Sequence, residues 1–351
     1  MLAPVRHILP LTKIRRLRLL PGVGRVLVRK GQKVSAEDIL AEAVLEPRHL
    51  LLDAAKALGL PVSKADEHIL RKPGEPVGEG DILAGPVGWA KRVLRAPHSG
   101  RVVLAGRGKI LLEVDTPPYQ LMAGLPGVVV SLIPERGAVN EAAGSLVQGV
   151  WGNNRIRSGT LRVRIERPED ILTTDRLEES LRGSVLLGGF CGEAGVLQAA
   201  QSLPLRGLIL AGMASKLVPE ALRASIPIVV LDGFGLLPMN AAAYQLLTTN
   251  EGREIAVNAE KGPPYSGQVP EVFIGLPARG DLESPPEVVS FASGQRVRVV
   301  RAPFHGQVGT IIAIKRGLET LPSGIKAATA QVRLESGEIA SLPLANLEVL
   351  V

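Results

Sequence analysis

Glycines in the middle of the chain are candidates for anion binding. Gly188, Gly189 and Gly192 follow an apolar run and precede a predicted helix. Free backbone N–H groups at the start of a helix can hold a phosphate. The segment is neither a G-x-G-x-x-G fingerprint nor a P-loop, and Glu193 at the helix start repels an anion. Tight-turn packing is therefore the alternative role for these glycines.

Polar residues also follow the next two apolar runs. Ser215 comes after the second run, and Asp232 and Gly233 end the third. Ligands of open α/β sheets bind outside the carboxyl ends of the strands, so these residues and the glycine loop are predicted to share a crevice. There the Asp232 carboxylate would serve as an acid/base group or a ligand anchor. The alternative is that it only accepts turn amides.

Several kinds of catalytic site are excluded by residue counts. No histidine lies between residues 99 and 304, which excludes a Ser/His/Asp triad within this region. Cys191 is the only cysteine, so an intrachain disulfide or a multi-cysteine metal site is impossible. The five histidines form no H-E-x-x-H motif or close pair. We therefore expect no catalytic constellation, no metal and no cofactor.

Alternating apolar runs and helical patterns are expected to position these residues. Three strand–helix pairs and a fourth strand are predicted between residues 184 and 259. The predicted helices lie near 194–201, 217–224 and 240–247. Continuous apolar strands joined by helices favour a parallel sheet covered on both faces. Residues 181–261 are thus predicted to be a Rossmann-like α/β domain, preceded by a β extension or bridge over 121–180.

A third module is predicted after a Pro/Gly-rich linker at 262–287. Its motif reads G-x-x-V-x-V, then A-P-F-H-G, then G-x-I; its members are Gly294, Val297, Val299, Pro303, Phe304, Gly306, Gly309 and Ile311. The pattern resembles a KOW module in a NusG-like SH3 barrel, with a longer loop at 315–326 than most such modules carry. The resemblance covers about one sixth of the chain and implies an SH3-like β-barrel over 288–351.

KOW modules bind RNA or protein, so the resemblance implies a contact surface here. The candidate contacts are Arg296, Arg298, Arg301, Lys315, Arg316 and Lys326. Seven basic and four acidic residues lie between 288 and 351, a net charge of +3. A dedicated RNA binder is usually more basic. Protein docking therefore stands beside RNA or DNA as the expected role.

One β motif occurs twice near the N-terminus. The pattern G-x-x-V-x-x-x-D-I-L-A begins at Gly31 and again at Gly74. Its aspartates, Asp38 and Asp81, are predicted to be turn acceptors. A following A-P-H-S-G-R-V segment at 96–102 is echoed by P-x-x-G-R-V at 21–26. A duplicated turn-plus-strand unit of this kind resembles the barrel-sandwich hybrid fold of biotinyl and lipoyl carrier domains and RnfC-type subunits. The resemblance implies such a domain over residues 1–120.

A carrier function would require a modified lysine at a hairpin tip. Lys91 lies in the corresponding interval, but its flanking residues are not those of modified lysines. A solvated hairpin charge is the alternative.

The net charge of +7 originates at the N-terminus. The first 36 residues hold nine Lys/Arg and no acidic residue. Such a block can bind phosphates or anionic surfaces, or it can be the polar face of a strand. No signal peptide and no long apolar run are present, so we expect a cytoplasmic protein without membrane insertion.

The functional expectation is therefore a non-catalytic binding or assembly protein that docks on a protein partner or a larger complex, with a nucleoprotein as one option. The alternative is an enzyme or sensor that binds a nucleotide or small anion in the α/β domain.

Overall fold

Strands dominate the structure, a computed structural model that describes residues 2–262, 268–277, 282, 284–286 and 289–351. Strands account for 46% and helices for 14%, so the fold is mostly β and contains several sheets. Among the described residues, no sheet closes on itself. The chain forms two compact units. The larger comprises Met1–Leu19, Leu27–Leu40 and Met122–Val351, and the smaller comprises Leu20–Val26 and Ala41–Leu121.

An eleven-stranded sheet forms the centre of the larger unit. In spatial order its strands are Trp151–Gly152, Ile228–Phe234, Gly207–Met213, Ser184–Cys191, Ile156–Val163, Glu254–Asn258, Glu271–Gly275, Gly137–Gln148, Gly127–Ile133 and Lys33–Val34, while Ile8–Leu19 also pairs with Gly137–Gln148. Four neighbouring strands, from Ile156–Val163 to Ile228–Phe234, run parallel. Glu254–Asn258, the predicted fourth strand, is antiparallel to Ile156–Val163.

Burial on both faces explains the continuous apolar runs of the parallel strands. Val185 and Leu187 point into one hydrophobic core, whereas Leu186 between them points into another. Three α-helices cover these strands: α3, Ala194–Ser202; α4, Val218–Arg223; and α5, Ala241–Thr248. Helices α3 and α4 pack into the core that contains Leu186, and α5 packs into the other.

The C-terminal region forms an open six-stranded sheet rather than a closed barrel. Its strands, in spatial order, are Val5–Arg6, Leu347–Leu350, Arg296–Val299, Val308–Ile314, Thr329–Leu334 and Ile339–Pro343. The edge strand Val5–Arg6 comes from the N-terminus, which the sequence placed in another domain. The larger unit also contains two short strand pairs, Leu2–Ala3 with Val289–Ser290 and Glu319–Thr320 with Lys326–Ala327. Its 3₁₀ turns are Thr174–Arg176, Glu179–Leu181, Ser215–Leu217 and Leu344–Asn346. The predicted start at Val288 and part of the predicted linker lie outside the described residues.

The cations of the basic N-terminal strand Ile8–Leu19 are paired with acidic residues. Arg15 and Lys13 lie near the Glu141 carboxylate, at 2.6 and 3.5 Å. Arg16 donates to Glu271 at 2.7 Å, and Arg18 donates to Glu260 at 2.6 Å. These ion pairs agree with the strand-face alternative, because the cations are already engaged within the larger unit.

The smaller unit consists of short strands and two helices. A four-stranded sheet has the order Arg48–Asp53, Lys109–Val114, Gly100–Gly106 and Pro76–Val77, and Ile82–Val87 forms a hairpin with Arg92–Arg95. Most residues of a three-stranded sheet, Tyr119–Met122, Ile39–Ala43 and Arg25–Val26, also belong here. Helices α1, Ala54–Leu58, and α2, Val62–Ala65, precede the 3₁₀ turn Asp66–His68.

The two copies of the N-terminal motif make equivalent turns. Asp38 Oδ2 accepts from Ser35 N at 2.8 Å, and Asp81 Oδ2 accepts from Gly78 N at 3.0 Å. In each copy the aspartate side chain accepts from the backbone N–H of the residue three positions earlier, as its predicted role as a turn acceptor requires.

The segment of the first copy that corresponds to 96–102 differs from the one that sequence similarity indicates, 21–26. Matching backbone hydrogen bonds run from Gly31 N to Val129 O and from Gly74 N to Val102 O. Strand pairing matches too, because Gly127 opposes Val34 as Gly100 opposes Val77. The counterpart of 96–102 is therefore 123–129, and not 21–26. Sequence similarity missed it because the shared requirement is a glycine at a close strand crossing.

Glu37 connects the first copy to the parallel sheet of the larger unit. Its carboxylate accepts from Ser158 N and Arg157 Nη1, both at 2.9 Å, and from Arg206. Burial alone raises the pKa of Glu37, but the Ser158 amide and the two arginines outweigh burial and lower it.

Glu37→Gln is expected to lower the free energy of unfolding at pH 7 by about 1.5 kcal/mol, the lower end for hydrogen bonds to a charged group. A folded-state pKa below the unfolded value stabilises the protein above the unfolded pKa, near 4.5, and this contribution disappears as pH falls through the folded pKa. The difference between wild type and variant should therefore shrink below about pH 4.5. Urea titrations at pH 7 and pH 3.5 test this, with exposed Glu46→Gln as the control. A difference independent of pH would contradict the assignment.

Across the described part of the chain, every helix is too short or too polar to cross a lipid bilayer.

Candidate functional site

Asp232 lies near the end of the parallel strand Ile228–Phe234, where the sequence placed a ligand anchor. The residue is only 6% exposed. Asp232 Oδ2 accepts from Asn240 N at 3.0 Å, the residue that caps helix α5. Oδ1 accepts from Arg298 Nη1 at 2.5 Å. Both oxygens are therefore engaged by protein groups.

Arg298 is the centre of a buried ion network. This arginine, 3% exposed, also donates from Nη2 to Glu348 Oε2 at 2.6 Å. The other Glu348 oxygen lies 2.5 Å from Arg6 Nε. Two guanidinium groups and two carboxylates thus alternate in one chain of contacts. This charge balance offsets part of the cost of removing the four groups from water.

The protonation preferences of the network follow from burial and partner charge. Burial raises the pKa of Asp232, and Arg298 offsets this only in part. Burial also disfavours the charged form of Arg298, but Glu348 and Asp232 outweigh it and raise the pKa of the guanidinium. Arg298 therefore remains a cation and holds both carboxylates in place.

A pocket of about 330 Å³ opens beside this network, between the end of the parallel strand and the C-terminal sheet. We call it the junction pocket; its polar lining residues are Asp232, Asn240, Arg296, His305, Gln307, Glu335 and Ser336. Pro238, Met239 and Val308 supply apolar walls. The volume is at the lower end of the range for small-molecule sites.

Close packing brings the loop around His305 onto the parallel sheet. A Cβ on Gly233 would lie 3.4 Å from His305 Nε2, and a Cβ on Gly306 would lie 2.9 Å from the Leu237 side chain. Both glycines have positive φ, 146° and 85°. Their missing side chains therefore allow the two segments to approach.

The predicted glycine loop is part of a strand. Strand Ser184–Cys191 includes Gly188 and Gly189. Leu172 and the Asp170 carbonyl pack directly against these two glycines and leave no room for a side chain. The segment around Ile171 also bridges Phe190 in parallel. Gly188 and Gly189 thus serve close packing, and the loop begins only at Gly192.

The residues predicted to share a crevice do not all line the same pocket. Cross-strand pairing places Gly212 opposite Gly233 and Cys191 opposite Met213, so the carboxyl ends of the parallel strands are adjacent. Ser215 is exposed in the 3₁₀ turn Ser215–Leu217 after the middle strand. Of the predicted ligand residues, Asp232 alone lines the junction pocket.

The six predicted contact cations differ in exposure. Arg298 is buried in the ion network and is not presented to solvent. The other five are exposed: Arg296, Arg301, Lys315, Arg316 and Lys326. Arg296 pairs with Glu335 at 2.7 Å at the pocket rim, and Lys315 lies 3.6 Å from Glu319.

Cys191 has the properties of a structural thiol. It is buried, and burial raises the pKa of the thiol to about 11. A weak hydrogen bond of 3.7 Å from Sγ to Glu193 O lowers the pKa, but by less than burial raises it. A thiol that stays protonated is a poor nucleophile. The described residues contain no group of three His, Cys, Asp or Glu side chains arranged to hold a metal ion. Lys91 is exposed at its hairpin with φ 45°.

Sequence reasoning missed Arg6, Glu348 and His305 as members of this site. Arg6 and Glu348 pair across nearly the whole length of the chain, and His305 lies against Gly233 of a remote strand, so no local pattern connects these residues with their partners. The one available signal was the A-P-F-H-G motif, which marks the loop that carries His305.

Comparison with known proteins finds no family model that matches this sequence and no curated protein similar to it.

Proposed function

We propose that the chain is a non-catalytic binding protein that receives an anionic group of a partner in the junction pocket. The observation that carries this proposal is the ion network, in which Asp232, Glu348 and Arg298 are buried and engaged by protein partners. Because these ion pairs already hold the buried charges, the network supports a fixed recognition surface rather than a proton-transfer group.

Hydrogen-bond donors outnumber acceptors on the accessible lining. Asn240 Oδ1 accepts from the first amides of α5, which leaves its NH₂ to donate. Arg296, Gln307 and Ser336 add donors, and His305 adds another from either ring nitrogen. The Arg296–Glu335 pair is exposed, so a ligand anion can replace Glu335 at a cost of roughly 1 kcal/mol or less.

Three fold assignments belong to this proposal. We infer that Ser184–Cys191 to Ile228–Phe234 with their helices are a Rossmann-like unit, supported by parallel strands with helices on both faces. We infer an SH3-like module of the KOW type from the C-terminal sheet and its A-P-F-H-G loop. The equivalent turns of the two N-terminal copies support the barrel-sandwich likeness.

The test is a thermal-shift and calorimetry series with three probes: inorganic phosphate, AMP and a tetraglutamate peptide. We expect saturable stabilisation by at least one probe, reaching about 2.7 kcal/mol at a hundredfold excess over Kd. Arg296→Ala/His305→Ala should abolish it, whereas Arg253→Ala, which removes an exposed cation outside the pocket, should not. No response to any probe, or an equal response in the double variant, rejects the proposal.

The same series separates the second candidate function, a nucleotide-binding enzyme or sensor. The Rossmann-like strand ends beside the pocket favour it. Binding of AMP without binding of the peptide would support it, and binding of the peptide would support docking.

A further inference from the structure

A group of cations in the smaller unit forms no ion pair among the described residues. Between Ile82 and Leu112 the chain has six Lys/Arg and no acidic residue. They are Lys91, Arg92, Arg95, Arg101, Arg107 and Lys109, and all six are exposed. The ion pairs among the smaller unit's described residues join other side chains: Arg25–Glu42, His49–Glu113 and Arg71–Asp81.

Packing gathers several of these cations around helix α1. The Arg92 guanidinium lies over Gly59, at the carboxyl end of α1, because a Cβ there would overlap it. The turn at Gly108 packs against Ala55 of α1 and Val62 of α2. Arg107 and Lys109 therefore lie beside the two helices, which add the exposed Lys56 and Lys64.

The carboxylates of this region are largely occupied by backbone amides. Asp53 accepts from Lys56 N at 2.8 Å. Asp66 accepts from Arg107 N at 2.9 Å and from Gly108 N at 2.6 Å. Glu67 remains as an exposed carboxylate in the adjoining 3₁₀ turn. These three carboxylates are fewer than the cations around them, so the positive charge of the face is only partly cancelled.

Trp89 stands at the tip of the adjoining hairpin with its whole side chain in solvent. Its relative exposure is 105%, so the indole packs on nothing within the described residues. Its neighbours Gly88 and Ala90 are small, and Lys91 and Arg92 follow directly. A fully exposed indole beside cations provides a flat surface on which a planar group can stack.

We propose that this hairpin face, Trp89 with Lys56, Lys64, Lys91, Arg92, Arg107 and Lys109, binds single-stranded nucleic acid. The cations contact successive phosphates and Trp89 stacks on one base. An anionic lipid surface is less well matched. Trp89 is the only large apolar side chain at the tip, and the cations are spread over the hairpin, two helices and a turn.

Fluorescence anisotropy of a labelled oligothymidylate of about 20 nucleotides with the full chain tests the proposal. We expect Trp89→Ala to weaken binding about 5- to 150-fold, the range for one stacked base. Trp89→Phe should retain most of the affinity. In Arg107→Gln/Lys109→Gln, the slope of log K against log salt should fall by about 0.7 for each phosphate that the variant no longer neutralises. The Trp89 emission should be quenched on binding.

Arg253→Gln, which removes an exposed cation of the larger unit that belongs to no candidate contact surface, should leave the affinity unchanged. The proposal is overturned if no binding is detected at low salt, if Arg253→Gln weakens binding while Trp89→Ala does not, or if phosphatidylserine vesicles bind and the oligonucleotide does not. Since the junction pocket contains none of these residues, its own test succeeds or fails independently.

Discussion

Arg298→Met is expected to lower the free energy of unfolding of the larger unit by about 3–5 kcal/mol, because breaking a buried ion network leaves an uncompensated charge. Asp232 would keep a single hydrogen bond, from Asn240 N, and Glu348 would keep only Arg6. The substitution preserves most of the side-chain volume, so altered packing is a small part of the effect.

The measurement is urea unfolding followed by tryptophan emission. In a Trp89→Phe background the remaining tryptophan, Trp151, reports the larger unit, where it packs edge-to-face on Phe234 with ring centroids 6.0 Å apart. Lowering the pH should reduce the deficit, because burial raises the pKa of Asp232 and protonation removes its unpaired charge.

Arg296→Met is the matched control, since it removes the same side chain two residues earlier on the same strand. Arg296 and its partner Glu335 are exposed, so the cost should be roughly 1 kcal/mol or less. Equal losses of stability in the two variants would show that the network contributes nothing beyond a surface ion pair.

Gly189→Ala is expected to destabilise the larger unit by about 1–3 kcal/mol or more, because a Cβ there overlaps the Asp170 carbonyl oxygen. A backbone oxygen cannot rotate away as a side chain can. The segment that bridges Phe190 through Ile171 would have to move, which would break the Phe190–Asp170 and Leu172–Phe190 backbone hydrogen bonds.

Gly195→Ala is expected to raise the free energy of unfolding, whereas Gly189→Ala lowers it. Gly195 lies in helix α3, and a Cβ there would meet only the Thr174 methyl, at 3.8 Å. Alanine is favoured over glycine by about 1 kcal/mol in a helix interior, and Gly195, the second residue of α3, should gain a fraction of this. Chemical denaturation of both variants measures the contrast. If Gly189→Ala proves as stable as wild type, the close-packing role of this glycine is wrong.

The strands and helices of the central region follow from local patterns. Three predicted helices agree with α3, α4 and α5 to within two residues, and the predicted strand Glu254–Asn258 has the observed bounds. Continuous apolar runs and capping residues act within a few residues of the chain, which is why the sequence reveals them. The turn role of Asp38 and Asp81 was predicted on the same basis.

The pairing of distant segments could not be read in this way. Arg298 looked like one of several exposed cations, since nothing near it in the chain identifies Asp232 or Glu348 as its partners. The counterpart of the A-P-H-S-G-R-V segment was likewise hidden, because 123–129 shares its strand geometry but few of its residues. Local sequence specified the elements and their apolar faces. Burial and ion pairing between strands that are far apart in the chain decided which charged side chains are engaged within the protein. The charged side chains that remain exposed are those that can bind a partner.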